Sequence, residues 1–412
     1  MPPIILAAVL CLTGVLHAVI PELTDYERRL AALEAALRDM RTEQRALSQR
    51  TQPLQAASVF NPEIGMILQG FYFNSGVHDG TISGFGLSEH AEKPHNGFSL
   101  DHTELTMSAI VDPRFLGSAT LALESHDGHT ELELETAFIQ TIPNDFIADG
   151  LTLTIGRAFW EIGYLNEHHL HTDDFSDRPL PYRVFLDMAY NDDGVQANYI
   201  LPTKQYIALL GGLFNGSDGP FATEEGPAVW SAGVRIGGDY SPNTSWRLGA
   251  SSLSGRATDR LTGDLSFTGD VALYILDWRS VWVFRGQEFS IQSEYLYSRE
   301  SGMYTADTPV AVDRVSQGWY AQAVYRFQPQ WRIGCRYSQL MPDEIPDALA
   351  GTVLNADGHQ PREMSVMLAW SGSEYSRIRL QYTQAYTSPG VVDGQVSLQY
   401  SMSLGAHRVH TY

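Results

Sequence analysis

From Asn61 to Tyr412 the chain repeats segments of about ten residues in which apolar and polar side chains alternate. Phe289, Ile291, Tyr295 and Tyr297 alternate with Ser290, Gln292, Glu294 and Ser298. Trp319, Ala321, Ala323, Tyr325 and Phe327 alternate with Tyr320, Gln322 and Arg326, and Trp331, Ile333, Cys335 and Tyr337 with Arg332, Gly334, Arg336 and Ser338. Val396, Leu398, Tyr400, Met402 and Leu404 interleave with Gln395, Ser397, Gln399, Ser401 and Ser403. A period of two sends one set to each face of a strand. A soluble sandwich alternates in the same way, so the connections decide between the two. Tight turns fall near Asp112-Pro113-Arg114, Pro202-Thr203-Lys204, Ser241-Pro242-Asn243, Gln328-Pro329-Gln330 and Gly372-Ser373-Glu374. Between them lie Gly- and Asp-rich stretches near 75–96, 159–191, 214–228, 254–268, 299–316 and 340–360. Short turns at one end and long loops at the other predict an all-β transmembrane antiparallel β-barrel of about 16 strands over residues 58–412.

The segment before the barrel has other periods. An apolar run from Ile4 to Leu16 is too short to span a bilayer and is followed by Leu16-His17-Ala18, so residues 1–18 are expected to be a signal peptide. Leu23, Leu30 and Leu37 then repeat every seven residues beside Tyr26, Leu33, Met40 and Leu47, which predicts a short N-terminal α-helical coiled coil over 22–50, placed in the periplasm. So short a seam must pack on copies of itself or on the barrel, and a homotrimer through residues 22–50 and the barrel walls is the expected assembly. Residues 51–57, with Gln and Pro, are expected to form a linker.

Composition narrows the function. Asp and Glu number 48 against 27 Lys and Arg, a formal charge of −21, with Lys93 and Lys204 the only lysines. This argues against nucleic acid as a partner and leaves outer-membrane lipid with small polar solutes or ions. Neither a Gly-x-Ser-x-Gly elbow nor a convincing Ser-His-acid set occurs, and an enzyme such as a barrel hydrolase is the weakest alternative. A closed barrel acting as a binding or structural protein is the stronger one. With Cys11 in the leader, Cys335 is alone in the processed chain.

Charge on the polar faces marks the candidate pore. Glu131, Glu133 and Glu135 share one face of a strand while Leu132, Leu134 and Phe138 take the other, and carboxylates belong on the lumen side. Arg235, Arg247, Arg326, Arg332, Arg336, Arg377 and Arg379 fall on polar faces of later strands. An acidic wall facing a basic one would set a field across the channel. Pairing of individual arginines with loop carboxylates is the competing reading. The longest loop, near 159–191, joins the fifth and sixth predicted strands and is the expected constriction, with Glu167, Asp173, Asp174 and Arg178 as its charged residues. His168, His169 and His171 beside those carboxylates have the donor types for zinc, although their spacing matches no closed structural site.

Several pieces resemble a little-characterised family of proteobacterial outer-membrane proteins similar to phosphate-selective porins. They are Phe60-Asn61-Pro62-Glu63-Ile64, Ile162-Gly163-Tyr164 with Asn166-Glu167-His168 and His171, Asp192-Asp193-Gly194-Val195-Gln196, and Gly405-Ala406-His407 with His410 and Tyr412. The resemblance covers most of the chain after Ser58 and implies a porin-like channel for passive diffusion of small polar solutes or ions. Some relatives are labelled zinc-regulated, others TonB-dependent. Roughly 350 residues at about 20 per strand and loop cannot supply the 22-stranded barrel of a TonB-dependent receptor.

Overall fold

The computed structural model describes residues 62–405, apart from 78–79, 89–90, 92, 101–102, 127–128, 143–146, 218 and 224–225. The expected leader, coiled coil and linker lie outside the described residues.

Alternation becomes seventeen strand segments in one sheet: β1 (Glu63–Ser75), β2 (Gly97–Leu100), β3 (Thr103–Asp112), β4 (Phe115–His126), β5 (His129–Thr141), β6 (Leu151–Phe159), β7 (Asn191–Ile200), β8 (Tyr206–Phe214), β9 (Val229–Ser241), β10 (Thr244–Thr262), β11 (Leu265–Phe284), β12 (Gln287–Thr305), β13 (Pro309–Gln328), β14 (Trp331–Met341), β15 (Arg362–Ser373), β16 (Ser376–Tyr386) and β17 (Asp393–Gly405). β2 and β3 both pair with β1 and form one interrupted stave, so the seventeen segments make sixteen staves. Each stave runs antiparallel to its neighbours. β1 closes the ring on β17, from Gly65 opposite Gly405 to Ser75 opposite Gln395. Closure leaves no sheet edge, which is what lets a sheet stand in lipid.

The outer surface carries the apolar half of the pattern. Leu368 of β15, Leu380 of β16 and Leu398 of β17 face outward, exposed, at one level of adjoining strands. Outward aromatic pairs lie toward both ends: Tyr240 and Trp246 at 5.6 Å and Trp282 and Phe289 at 5.6 Å near the short turns, Tyr274 and Tyr297 at 6.1 Å and Trp319 and Tyr337 at 5.4 Å farther out. Such girdles mark the two lipid interfaces. Replacing Leu380 with lysine is therefore expected to destabilise the barrel by about 2–4 kcal/mol, the cost of a cation near the bilayer midplane. Urea titration of the protein refolded into phospholipid vesicles measures it, and an unchanged midpoint would mean that this face does not meet lipid.

The structure differs from the sequence expectation at three places. The stretches near 254–268 and 299–316 are strand, because β10 and β11 meet at a turn over 263–264, and β12 and β13 at one over 306–308. These ribbons keep an apolar inner face, with Phe267, Tyr304 and Val312 buried, and a polar outer one where Arg299 pairs with Asp313 at 2.8 Å. Gly and Asp there mark an exposed hairpin and not an irregular loop. Phe138 is the third case. A bulge at Glu135, between Thr120 opposite Thr136 and Leu121 opposite Leu134, adds one residue to β5 and reverses its alternation. Leu132 and Leu134 face outward as expected, but Phe138 turns inward against the core.

Inside, the outer half of the lumen holds a hydrophobic core. Leu253, Phe267, Leu273, Ile275 and Leu296 project inward from β10 to β12 and pack on Trp160, Ile162, Leu165, Leu180, Tyr182, Phe185, Leu186 and Tyr190 of the loop after β6. β11 is thus apolar on both faces here, with Tyr274 and Leu276 outside and Leu273 and Ile275 inside. Each large side chain buried in this way contributes about 1.5–3 kcal/mol before the entropy of ordering the loop is counted. This apolar packing folds the loop inward.

Candidate functional site: the loop folded into the throat

The loop of residues 160–190 begins by closing on itself. Asn166 Nδ2 donates to the carbonyls of Trp160, at 2.8 Å, and Tyr190, at 3.0 Å, and its Oδ1 accepts from Tyr190 N at 2.6 Å, tying the two ends together. Trp160 Nε1 donates to Asp192 O at 2.9 Å, and Tyr190 Oη to Asp192 Oδ2 at 2.9 Å. Gly163 takes a left-handed turn at φ +70°, and a Cβ there would come within 2.5 Å of Glu294 Oε2. Only glycine fits that approach. The turn aims the N–H groups of Tyr164 and Leu165 at Glu294, at 2.9 and 3.1 Å, and the hydroxyls of Tyr182 and Tyr320 donate to the same carboxylate at 2.9 and 2.5 Å. A short α-helix, Leu180–Phe185, carries Tyr182, its first turn admitting Pro181.

Arg178 holds the middle of the loop. It is fully buried, and its Nε donates to Asp173 Oδ2 at 2.9 Å, its Nη1 to Met188 O at 3.0 Å, and its Nη2 to the carbonyls of Leu165 and His168 at 3.0 and 2.6 Å. The predicted constriction residue is a staple, with its charge spent inside the loop.

Three walls of the ring then grip the loop. On β9 to β11, Arg235 pairs with Glu161 and, at 2.9 Å, with Glu167, while Arg247 pairs with Glu167 at 2.5 Å and lies 3.6 Å from Asp277. Burial raises the Glu167 carboxyl, but Arg235 and Arg247 pull it below the usual glutamate range. Arg247 and Arg279 also stand over the Tyr164 ring, at 4.8 and 5.2 Å. On β14 to β16, Arg336 holds Asp177 at 2.6 Å, Arg332 lies 3.4 Å from Asp174, Arg377 donates to the carbonyls of His171 and Asp173, and Arg379 donates to Asp173 O at 2.5 Å. Arg326 pairs within the wall, with Glu288 at 2.9 Å. The arginines therefore engage loop acids and carbonyls in place of a bare acidic wall opposite.

The third wall is β3 and β5. Here Glu104 and Glu135 meet the histidines: His171 Nδ1 is 2.7 Å from Glu104 Oε1, and His169 Nδ1 is 3.2 Å from Glu135 Oε2 and 3.5 Å from Glu104 Oε2. Burial opposes charging of His169, but the two carboxylates outweigh it and push its pKa up to about 9. His168 goes elsewhere, its Nδ1 2.9 Å from Tyr164 O and its ring on Tyr164 at 4.8 Å. Glu133 is exposed on the lumen side, and Glu131 lies on β5 beyond the residues whose side chains are described. Glu104, Glu294, Asp277 and Asp177 belong to the site and were not singled out from the sequence. For Glu294 a signal existed, a carboxylate in mid-strand on the polar face that also carries Glu288 and Glu300 near its two ends.

Space remains on both sides of the loop. A cavity of about 350 Å³ lies toward the long loops, among Arg183, Arg260, Glu300, Tyr304 and Arg314. Another of about 440 Å³ opens by the short turns, reaching from Gln330 and Ser373 to His171. A cleft of about 60 Å³ between Tyr164, His168, Asp174, Arg279, Arg326 and Arg332 shares its last two residues with the latter.

Comparison with known proteins bears on the barrel. The chain superposes on the outer membrane channel DcaP of Acinetobacter baumannii with a TM-score of 0.55 at 12% identity, over 83% of this chain and 97% of that one. The fold is that of an outer-membrane β-barrel. OmpT of Vibrio cholerae in its trimer form matches with a TM-score of 0.51 at 9% identity, over 84% and 99% of the two chains, and OprB of Pseudomonas putida with 0.50 at 10%, over 86% and 96%. By sequence the chain is 27% identical to an uncharacterized protein of Aquifex aeolicus, over 94% of its own length and 84% of the relative's. No family model matches. The resemblance read from the sequence thus stands for the barrel type, while phosphate selectivity and zinc regulation receive no support from these relatives.

Proposed function

We propose that the protein is a porin-like channel of the bacterial outer membrane through which small polar solutes or ions diffuse passively, with the loop of residues 160–190 as its constriction. The observation that carries this is the charged cleft beside the loop. Arg279, Arg326 and Arg332 face Asp174 and Glu288 there, next to a cavity that opens by the short turns. Charges of both signs at close quarters admit hydrated polar solutes and favour neither sign strongly. A homotrimer through residues 22–50 and the barrel walls is part of the same proposal, in keeping with the trimer form of the Vibrio cholerae barrel.

The apolar core in the outer lumen favours a second reading, a barrel kept closed that serves as a binding or structural protein. One experiment separates them. The full chain, refolded and inserted into planar bilayers, is expected to give small conductance steps in groups of three, with a reversal potential near zero in a KCl gradient. Silence at every voltage would retire the channel in favour of the closed barrel, and single unequal steps would retire the trimer.

A further inference from the structure

We infer that Glu104, Glu135, His169 and His171 form a site for one divalent transition-metal ion of the zinc class on the inner wall of the barrel. One ligand atom from each of Glu104, His169 and His171 can be chosen so that all lie within 4.8 Å of one another. Ligand atoms about 2.0–2.1 Å from a tetrahedral zinc ion are separated by about 3.3 Å. The two distances from His169 Nδ1, 3.2 Å to Glu135 and 3.5 Å to Glu104, already match that edge. The 2.7 Å contact between His171 and Glu104 has to open by about 0.6 Å, within the reach of small side-chain rotations. Two imidazoles with two carboxylates suit zinc, cobalt, nickel or copper and suit calcium or magnesium poorly.

The backbone is shaped around this cluster. Glu135 is the additional residue of the β5 bulge, and it lies buried on the lumen side together with Thr136, so two successive residues face inward beside the histidines. The 3₁₀ turn Leu170–Thr172 presents His169 and His171 together, with ring centres 5.5 Å apart. A second layer fixes them: Thr172 Oγ1 donates to His169 O at 2.7 Å, Arg377 donates to His171 O, and Phe159 sets its edge against the His169 ring at 5.1 Å. These hydrogen bonds fix the backbone of the turn that carries both rings. His171 also borders the cavity of about 440 Å³ that opens by the short turns, which gives an ion a way in.

The site does not depend on the channel reading, and binding and conductance are tested separately. Full-length protein refolded in detergent and stripped of metal is titrated calorimetrically with zinc, and with cobalt while visible absorption is recorded. One ion per chain and the absorption bands of four-coordinate cobalt are expected. Replacing both His169 and His171 with alanine should abolish binding. Glu135→Gln, which keeps shape and heat-modifiable gel migration, should weaken it at least tenfold. His168→Ala should bind as the parent does. The proposal is overturned if the parent binds no ion, if Glu135→Gln binds with unchanged affinity, or if His168→Ala loses the ion as the double variant does.

Discussion

Replacing Arg178 with alanine is expected to free the loop from the throat and to raise single-channel conductance several-fold while the barrel stays folded. The guanidinium satisfies one carboxylate and three carbonyls at once, with no exposure to solvent. Its removal leaves the Asp173 carboxylate without its buried partner, a change that costs about 3–5 kcal/mol. The freed carbonyls of His168 and Met188 add to this, while that of Leu165 keeps the His168 N–H at 3.1 Å. None of these bonds belongs to the barrel ladder, so the loss falls on the loop as a local unfolding unit and not on the ring. Heat-modifiable migration should persist, and Arg183 should become cleavable by trypsin. Arg178→Lys should not rescue, because one ammonium cannot span acceptors set out for a planar fork. Parental conductance together with a trypsin-resistant loop would show that Arg178 does not hold the constriction.

The sequence makes this arrangement legible only in part, and the division follows the range of the interactions. Alternation is local, so strands such as Trp319–Phe327 and Trp331–Tyr337, their tight turns, and the inward direction of Arg326, Arg332 and Arg336 can be read residue by residue. The loop between the fifth and sixth staves can be counted. A bulge is a single-residue event that leaves composition unchanged, so Phe138 reads as outward until pairing partners are known. The ribbons beyond Ala257 and Arg299 read as loops because Gly and Asp signal turns, while their apolar inner face needs a loop core that is distant in sequence. Partnerships are the least visible. Glu104 meets His171 across 67 positions and Glu294 meets Tyr164 across 130, and no periodicity connects them. Adjacent histidines on a tight turn also point apart, which is why His168 parts from His169 and His171.

Glu294→Ala and Glu294→Gln are both expected to enlarge the conductance and to shift the reversal potential toward anion selectivity. The carboxylate of Glu294 accepts from Tyr164 N, Leu165 N, Tyr182 Oη and Tyr320 Oη, and an ionised carboxylate offers acceptors only. Alanine leaves these buried donors bare. Glutamine turns an NH₂ group toward N–H and O–H donors, so similar shape does not restore the bonds, and each unsatisfied group costs about 1–3 kcal/mol. The selectivity shift comes from Tyr164: once its turn lets go, the ring leaves Arg247 and Arg279, and those cations face the passage. Leu165 links this anchor to the other, since its N–H binds Glu294 while its carbonyl accepts from Arg178. Neighbours that share a partner do not add. If the loop releases as one body, Arg178→Ala combined with Glu294→Ala should conduct no more than the larger of the two single variants. Additive increases would show instead that the Gly163 turn and the Arg178 staple open independently.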